Sequence, residues 1–483
     1  MPTLVSKLTE IQAALDALAK QHKVPGASLG ILSGKEYIEC VTGVTNVDTQ
    51  QPVTSDTHFQ IGSNTKVMVA TLFMKLQEEG KLDLDDAVTK HVPEFTLADT
   101  TYLRQITLRQ LLTHTNGIDA ADYFIDTGEG ADAIEKFVAS LDQCGQIYPP
   151  GEMWSYCNAG TVLCGRVIEK VTGLPFVQAF HAQLLEPLKL KQTTMRIPDM
   201  LVRSTAVGHI TKPGDDRPSV TPQPLLPAST APAGAFTSAT SRDMVKFAKL
   251  HIDGGGDYLS KDSIRAMQQT QAKLPGTSTG ESMGVGWMLS EFSGERVLAH
   301  GGGTVGQLSF YYVLPDRPFV FVLLTNGSPG GGALFADIGK YVFEEFAGVS
   351  MPEPTKVPDV PPKIKLEPYA GLYRRRDIDL EITLEGGKLM AKSTYTGQIA
   401  GLDVGPPIAI TPIDRELFAM GEGRLEFMDF DKQGRPNYVH SGRVARRVAA
   451  GTEDSAAPRK KAASRAKKAP ARKKSGARKQ SGR

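Results

Sequence analysis

The sequence predicts a mixed α/β domain followed by a small antiparallel β-barrel, and three observations support that prediction. An almost entirely apolar segment over residues 67–76 stops near Gly80, which is typical of a buried helix. Apolar runs at residues 26–32 and 310–324 are typical of buried strands, and the second run reads as a hairpin. Between residues 366 and 448, short segments of alternating apolar and polar residues are separated by glycines, as in small barrels.

The chain also carries signs of a boundary between two folded units. Its 483 residues exceed the size of one typical domain. Five prolines in residues 350–363 predict a stiff linker. We therefore expect a first domain over residues 1–349, a barrel domain over 364–450 and a tail over 451–483.

The tail has an unusual charge. Residues 455–483 contain 12 Lys or Arg and no acidic residue, whereas the rest of the chain holds 43 basic and 53 acidic residues. Such a composition cannot bury a core, so we expect a disordered segment. Its charge favours non-specific contact with nucleic acid or another polyanion, and a solvated tail without any partner fits equally well.

Composition limits the location and the chemistry. The N-terminus lacks the features of a secretory signal, and no apolar run approaches a membrane span. The cysteines show neither metal nor redox spacing, so structural thiols in a reducing compartment are expected. We predict a cytoplasmic protein with no membrane contact, no metal and no cofactor; the four cysteines are Cys40, Cys144, Cys157 and Cys164.

The most informative stretch lies just before the apolar helix. Ser63 and Lys66 stand three residues apart, so a helix starting here would place both side chains on one face. A serine needs a neighbouring base to act as a nucleophile, and a desolvated lysine can be that base. The alternative is that Ser63 is an ordinary helix N-cap. A second Ser-x-x-Lys, at residues 464–467, lies in the basic tail.

A second pair of polar residues precedes another apolar helix. Tyr156 and Asn158 are two residues apart at the end of a turn, so an extended backbone would point both side chains the same way. A phenol and an amide in that position could move a proton and hold a substrate amide. The alternative places Asn158 at the N-cap and Tyr156 in the core.

Two histidines lie in distinctive contexts. His300 is followed by three glycines on a predicted strand, where a substrate could lie against the backbone, although a loose glycine turn is the simpler alternative. His114 ends a short helix near Gly117. It could be a base, but it has no acidic partner nearby in sequence, and we interpret it as a structural residue that fixes the turn.

A competing hydrolase pattern is also present. Residues 276–280 match the Gly-x-Ser-x-Gly nucleophile motif around Ser278, and residues 300–303 match a lipase oxyanion motif. In that fold the glycine-rich motif comes first, whereas here it comes second. Lys273 and Pro275 also precede Ser278 where a buried strand is required, so we reject this interpretation.

Taken in order, Ser63-x-x-Lys66, Tyr156-x-Asn158 and the glycine strand at residues 300–302 resemble the serine β-lactamase-like superfamily, in its class C β-lactamase, D-aminopeptidase and esterase branch. The resemblance extends over about residues 5–347. It implies an α/β fold with an antiparallel sheet flanked by helices, an all-helical lobe, and a site between them. The barrel resembles the lipocalin-like domain that follows some of these hydrolases.

The resemblance also implies roles for individual residues. Ser63 would be the acylated nucleophile and Lys66 its activating partner. Tyr156 would share the role of base and pass a proton to the leaving group. Which of Lys66 and Tyr156 accepts the first proton stays open.

The remaining implied roles concern substrate binding. Asn158 would hold the substrate amide, and the backbone N–H groups of Ser63 and Gly303 would form the oxyanion hole. His300, Gly301 and Gly302 would lie along the substrate. His300 replaces the lysine of the Lys-Thr-Gly motif in penicillin-recognising members, and its reference pKa of about 6.5 predicts a charge change within the usual assay range.

These observations predict a serine hydrolase that cleaves a small ester or amide through an acyl-enzyme, with weak or no β-lactamase activity. The substrate pocket is expected from residues 119–147, residues 210–233 and barrel loops. The alternative is a catalytically idle relative that serves as a binding protein through its basic tail. No oligomeric state is predicted.

Overall fold

The computed structural model describes residues 3–278, 280–353, 355–396 and 405–448. The expected disordered tail, with its second Ser-x-x-Lys, lies outside the described residues.

Eleven α-helices occur in the described part of the chain, and short 3₁₀ or π turns extend several of them. They are α1 Leu8–Gln21, α2 Thr65–Glu78, α3 Val88–His91, α4 Leu108–Leu112, α5 Ala133–Ala139, α6 Asn158–Thr172, α7 Phe176–Phe180, α8 Ile197–Leu201, α9 Ser241–Ile252, α10 Lys261–Met267 and α11 Gly330–Val342.

The strands fall into one large sheet, two small sheets and a barrel. They are β1 Gly26–Ser33, β2 Glu36–Gly43, β3 Phe59–Gln60, β4 Thr193–Thr194, β5 His209–Ile210, β6 Ser219–Val220, β7 Ser238–Ala239, β8 Ala272–Lys273, β9 Ser282–Met283, β10 Met288–Phe292, β11 Glu295–Thr304, β12 Gln307–Leu314, β13 Phe319–Thr325, β14 Gly327–Ser328, β15 Gly371–Arg375, β16 Ile378–Glu385, β17 Lys388–Tyr395, β18 Ile408–Pro412, β19 Leu417–Met420, β20 Gly423–Phe430, β21 Pro436–His440 and β22 Val444–Arg447.

The large sheet has eight strands in the order β2-β1-β13-β12-β11-β10-β9-β8, and every neighbouring pair is antiparallel. The predicted hairpin is β12 and β13, with Leu314 opposite Phe319. Alternation along β1 sends Leu29 and Ile31 to a core with α1 and α11, whereas Gly30 faces α9 near Ser241. The sheet is therefore covered by helices on both faces, and the α/β prediction is confirmed.

Helix α2 is the centre of the main core. Eleven of its fourteen residues are buried, as its almost uninterrupted apolar sequence requires. It ends two residues before Gly80, whose φ of +69° is the left-handed conformation that favours glycine after a helix. Helix α6 packs beside α2, and helices α4 and α5 pack against α6 to complete the helical lobe.

The barrel consists of β15 to β22 in consecutive order and is closed, which confirms the predicted antiparallel barrel. Its interior is filled by large buried side chains, among them Tyr369, Tyr373, Phe418 and Phe427. Barrels of eight strands are just wide enough for side chains to fill.

Residues 119–147 form less of the substrate pocket than expected. Only the first part of this segment reaches the pocket described below, through Asp122 and Phe124. The remainder contains α5, which buries Ile134 and Phe137. The apolar residues of α5 are spaced along one helical face, and that face packs against α6.

The cysteines agree with the expectation of structural thiols. All four cysteines are free and buried. Within the described ranges, the helices are too short or too polar to cross a bilayer. The same residues contain no group of His, Cys, Asp and Glu side chains that could hold a metal ion.

Candidate active site

The turn before α2 holds Ser63 against strand β11. Gly62 has a φ of +49°, and a Cβ atom there would lie 2.6 Å from the Gly303 backbone nitrogen. The Asn64 side chain donates to the Ser309 hydroxyl at 2.7 Å, and that hydroxyl donates to the Ile61 carbonyl at 2.8 Å. The turn is therefore fastened to the sheet by backbone contact and by side-chain hydrogen bonds.

Ser63 and Lys66 are hydrogen-bonded. The Lys66 Nζ donates to the Ser63 hydroxyl at 3.0 Å and to the Ala233 carbonyl at 2.8 Å. Ser63 lies in the 3₁₀ turn Gly62–Asn64, and Asn64, not Ser63, occupies the N-cap position of α2. The alternative role of Ser63 as a side-chain N-cap therefore does not match the structure.

The surroundings of Lys66 lower the pKa of its amine. The side chain is buried, and burial removes the water that would stabilise an ammonium group. Burial, together with the positive charge of Arg443, lowers the pKa of Lys66 to about 7. A large fraction of Lys66 is therefore uncharged near neutral pH.

Tyr156 and Asn158 both reach the same pocket, as their spacing predicts. Cys157 between them has extended backbone angles, and Asn158 is the first residue of α6. Burial raises the pKa of Tyr156 to about 12, so the phenol keeps its proton at neutral pH. The Asn158 amide donates to the Ala121 carbonyl at 3.0 Å, which fixes the orientation of its side chain.

His300 and the glycines lie on strand β11, not on a loose turn. His300 pairs with Tyr311 and Gly303 with Leu308 in the sheet register. The His300 Nδ1–H donates to the Gly301 carbonyl at 2.7 Å, and the buried Nε2 atom has no partner within the described part of the chain. This is the bracing contact expected of a structural histidine.

The expected change of charge at His300 is wrong. Burial, with a smaller contribution from Lys66, lowers the pKa of His300 to about 4. The imidazole is therefore neutral throughout an assay range of about pH 6 to 9. Burial outweighs the hydrogen bond to Gly301, which favours the charged form.

The barrel contributes a charged residue to the site. Arg443, in the turn between β21 and β22, lies with its guanidinium carbon 4.8 Å from the centre of the Tyr156 ring. Its Nε donates to Asp122 at 3.0 Å, and Arg375 donates to the other oxygen of that carboxylate at 2.7 Å. Burial opposes ionisation of Asp122, but the two arginines outweigh it and hold its pKa below the ordinary value.

The site residues surround a cavity of about 500 Å³. All the site residues predicted from the sequence line this cavity, except Lys66 and Gly302. Lys66 lies behind the cavity wall and is hydrogen-bonded to Ser63, which lines it. Thr230 and Ala233 contribute from the expected 210–233 segment, and Gly442 and Arg443 from a barrel loop. Residues that the sequence argument did not single out for the site also line the cavity: Asp122, Phe124, Trp154, Met288 and Arg443.

Ser278, the serine of the rejected motif, lies on the wall of the same cavity. It belongs to the loop between β8 and β9, not to a turn between a strand and a helix. Its neighbour Thr277 is hydrogen-bonded to His440 of the barrel at 2.5 Å. The loop therefore contacts the barrel, and this contact explains why Ser278 lies at the cavity wall.

Comparison with known proteins identifies the family. The family model described as "Beta-lactamase" matches residues 11–340. Penicillin-binding protein 4 of Amycolatopsis lactamdurans is 37% identical over 374 residues, which span 75% of this chain and 97% of that protein. The chain belongs to the beta-lactamase family, and as a member of that family it is a serine hydrolase.

Two solved structures extend the comparison. A structure of SurE has a TM-score of 0.78 at 24% identity and covers 92% of this chain and 99% of that chain, so the likeness of fold includes the barrel. A D-stereospecific amidohydrolase from Streptomyces sp. is 28% identical, with a TM-score of 0.56, over 70% of this chain and 98% of that chain.

Proposed function

We propose that the protein cleaves small amides or esters through an acyl-enzyme formed on Ser63. The observation that carries the proposal is the 3.0 Å contact between the Ser63 hydroxyl and Lys66, whose pKa is lowered to about 7. A neutral amine at hydrogen-bond distance from a hydroxyl is the arrangement that activates a serine nucleophile.

The pKa values of Lys66 and Tyr156 favour a different role for each residue in proton transfer. Lys66, with a pKa of about 7, can accept the Ser63 proton as the oxygen attacks the substrate carbonyl. Tyr156, with a pKa of about 12, enters the reaction protonated and gives its proton to the leaving group as the scissile bond breaks. Lys66 then returns the serine proton to Tyr156, and water releases the acyl group by the reverse sequence of transfers.

The negative charge that develops on the substrate carbonyl oxygen must be stabilised by hydrogen-bond donors. We propose the backbone N–H groups of Ser63 and Gly303, because the close approach of Gly62 to Gly303 brings the two segments together. Asn158 would hold the substrate amide beside them. Gly301, which lines the cavity, would let the substrate lie against the strand. Gly302 instead allows the turn before Ser63 to pack on the strand, since a side chain there would meet the Ile61 carbonyl at 2.0 Å.

The charges of the site suggest the class of substrate. His300 is neutral, so it offers a hydrogen-bond acceptor and not the fixed cation of a lysine. We therefore propose D-amino-acid amides and small uncharged esters as substrates, with weak or absent turnover of β-lactams. A relative described as a D-stereospecific amidohydrolase supports the same class.

The alternative of an idle binding protein receives less support. A protein that only binds has no need for a buried lysine hydrogen-bonded to a serine, because burying an amine costs stability. The arrangement of Ser63, Lys66 and Tyr156 therefore favours an enzyme.

A covalent probe tests the proposal. A fluorophosphonate should label the wild-type protein at Ser63, and Ser63→Ala should abolish both labelling and turnover. Ser278→Ala is the matched control, because Ser278 lines the same cavity but is hydrogen-bonded to no lysine among the residues that the structure describes. Turnover that survives in Ser63→Ala and disappears in Ser278→Ala would overturn the assignment.

The substrate class needs a separate measurement. We suggest a panel of p-nitrophenyl esters, D- and L-aminoacyl anilides and a chromogenic cephalosporin. We expect ester turnover, a preference for D over L anilides, and little cephalosporin hydrolysis. Efficient cephalosporin hydrolysis would contradict the proposed class while leaving the acyl-enzyme on Ser63 intact.

A further inference from the structure

His114 holds the backbone on both sides of Tyr156. Its carbonyl accepts the N–H of Ser155 at 2.9 Å, and its Nδ1 atom accepts the N–H of Cys157 at 3.2 Å. One residue therefore accepts the backbone N–H groups of both sequence neighbours of Tyr156. His114 also has a φ of +57°, a conformation that few residues other than glycine, asparagine and aspartate adopt readily.

The imidazole of His114 also packs on the phenol itself. The ring centres of His114 and Tyr156 lie 4.3 Å apart, with 34° between the ring planes. His114 is 1% exposed and does not line the catalytic cavity, so it has no direct access to a substrate there. It can act on the reaction only through a neighbour.

The imidazole supports Tyr156 without adding charge. Because Nδ1 accepts a hydrogen bond, the single proton of the neutral ring is on Nε2. Burial, followed by the charge of Lys66, lowers the pKa of His114 well below the ordinary value. His114 therefore adds no positive charge beside Lys66.

We propose that His114 is a positioning residue, which holds the Tyr156 phenol where it can give its proton to the leaving group. The inference rests on the proposed role of Tyr156 in hydrolysis. It predicts that the loss of His114 slows hydrolysis most for substrates whose leaving group must be protonated.

Two substitutions separate the contacts of His114. His114→Gly keeps a residue that tolerates the left-handed backbone but removes both the acceptor and the ring. His114→Asn tolerates the same backbone and retains an acceptor for the Cys157 N–H. For the glycine variant we expect kcat/KM, which reports acylation, to fall about 100-fold for a D-aminoacyl anilide and less than about threefold for the matching p-nitrophenyl ester. The asparagine variant should recover part of the loss.

His251 provides a matched control. It is buried and neutral, accepts the Trp287 indole N–H through Nδ1 at 3.3 Å, and packs against that indole, but it does not line the cavity. His251→Asn should therefore lower the thermal midpoint, and any loss of kcat/KM that it causes should be equal for the anilide and the ester. The same dependence in His251→Asn would show a general effect of core damage and would overturn the inference.

A double-mutant measurement completes the test. If His114 acts through Tyr156, His114→Asn should lower anilide turnover by no more than about twofold in a Tyr156→Phe background. Equal losses for the anilide and the ester, or an undiminished loss in the Tyr156→Phe background, would overturn the inference. Failure of the proposed function would look different, because turnover would then persist in Ser63→Ala.

Discussion

The charge of Arg443 offers the sharpest test of how the site works. Arg443 belongs to the barrel, yet its positive charge is the second cause, after burial, of the lowered pKa of Lys66. The amine of Lys66 lies 5.0 Å and the guanidinium carbon of Arg443 4.8 Å from the centre of the Tyr156 ring. The two charges are therefore at most about 10 Å apart.

That separation sets the size of the effect. Two unit charges about 10 Å apart repel by roughly 1.7 kcal/mol at an effective dielectric constant of about 20, which corresponds to about one pH unit. Arg443→Gln should thus raise the pKa of Lys66 by about one unit. Asp122 keeps Arg375 as a partner in this variant, so the carboxylate is not left alone.

The assay is the pH dependence of kcat/KM for a p-nitrophenyl ester between about pH 5 and 9, which reports groups of the free enzyme. In the wild type, activity should rise through about pH 7 as Lys66 loses its proton. In Arg443→Gln the rise should move up by about one unit, so that activity falls about tenfold near pH 6 and little near pH 9.

Two variants control for other effects of the substitution. Arg443→Lys keeps the charge and should keep the position of the rise. Arg446→Gln removes an equal charge from an exposed position on the following strand, β22, and should leave the profile unchanged. A rise that stays in place in Arg443→Gln, or moves equally in Arg446→Gln, would refute the electrostatic reasoning.

Other predictions address different parts of the molecule. Replacement His300→Lys should increase acylation by a fluorescent penicillin; an unchanged rate would show that His300 does not set the substrate class. Lys66→Met should raise the thermal midpoint most at low pH. The folded-state pKa of Lys66, about 7, lies below the reference of 10.5, so the wild type gains stability as pH rises between these values, by on the order of 5 kcal/mol. An equal difference between the two proteins at pH 6 and pH 10 would contradict this. Deletion of residues 455–483 should abolish retention on heparin and preserve turnover; unchanged retention or lost turnover would each remove one half of that prediction.

The sequence predicted those parts of the fold that depend on local patterns. The apolar run of residues 67–76 determines that α2 is buried, because a helix without a polar face has no side to turn to water. The alternation in residues 378–384 determines the two faces of a barrel strand, since one face must be filled and the other solvated. In both cases the information lies within one element.

The sequence did not reveal properties that arise between distant elements. Asp122 and Arg443 are 321 positions apart, and nothing near either residue indicates the ion pair. His300 has an ordinary reference pKa, and only its burial in the folded chain shows that it stays neutral. Motif spacing located Ser63, Lys66 and Tyr156, but the pKa order of the last two depends on the degree of burial and on a charge from another domain.

The barrel therefore supplies part of the electrostatics of the pocket. Asp122 lies on the wall of the cavity, and both arginines that neutralise it, Arg375 and Arg443, come from the barrel. With the barrel docked, Lys66 faces a fixed cation that is balanced by a carboxylate. Without it, Lys66 would face an unpaired carboxylate, which favours the protonated amine and opposes its action as a base. The filled interior of the barrel fits this interpretation, because the barrel contributes to the site through Arg375 at the end of β15 and through the turn between β21 and β22, and not through a cavity of its own.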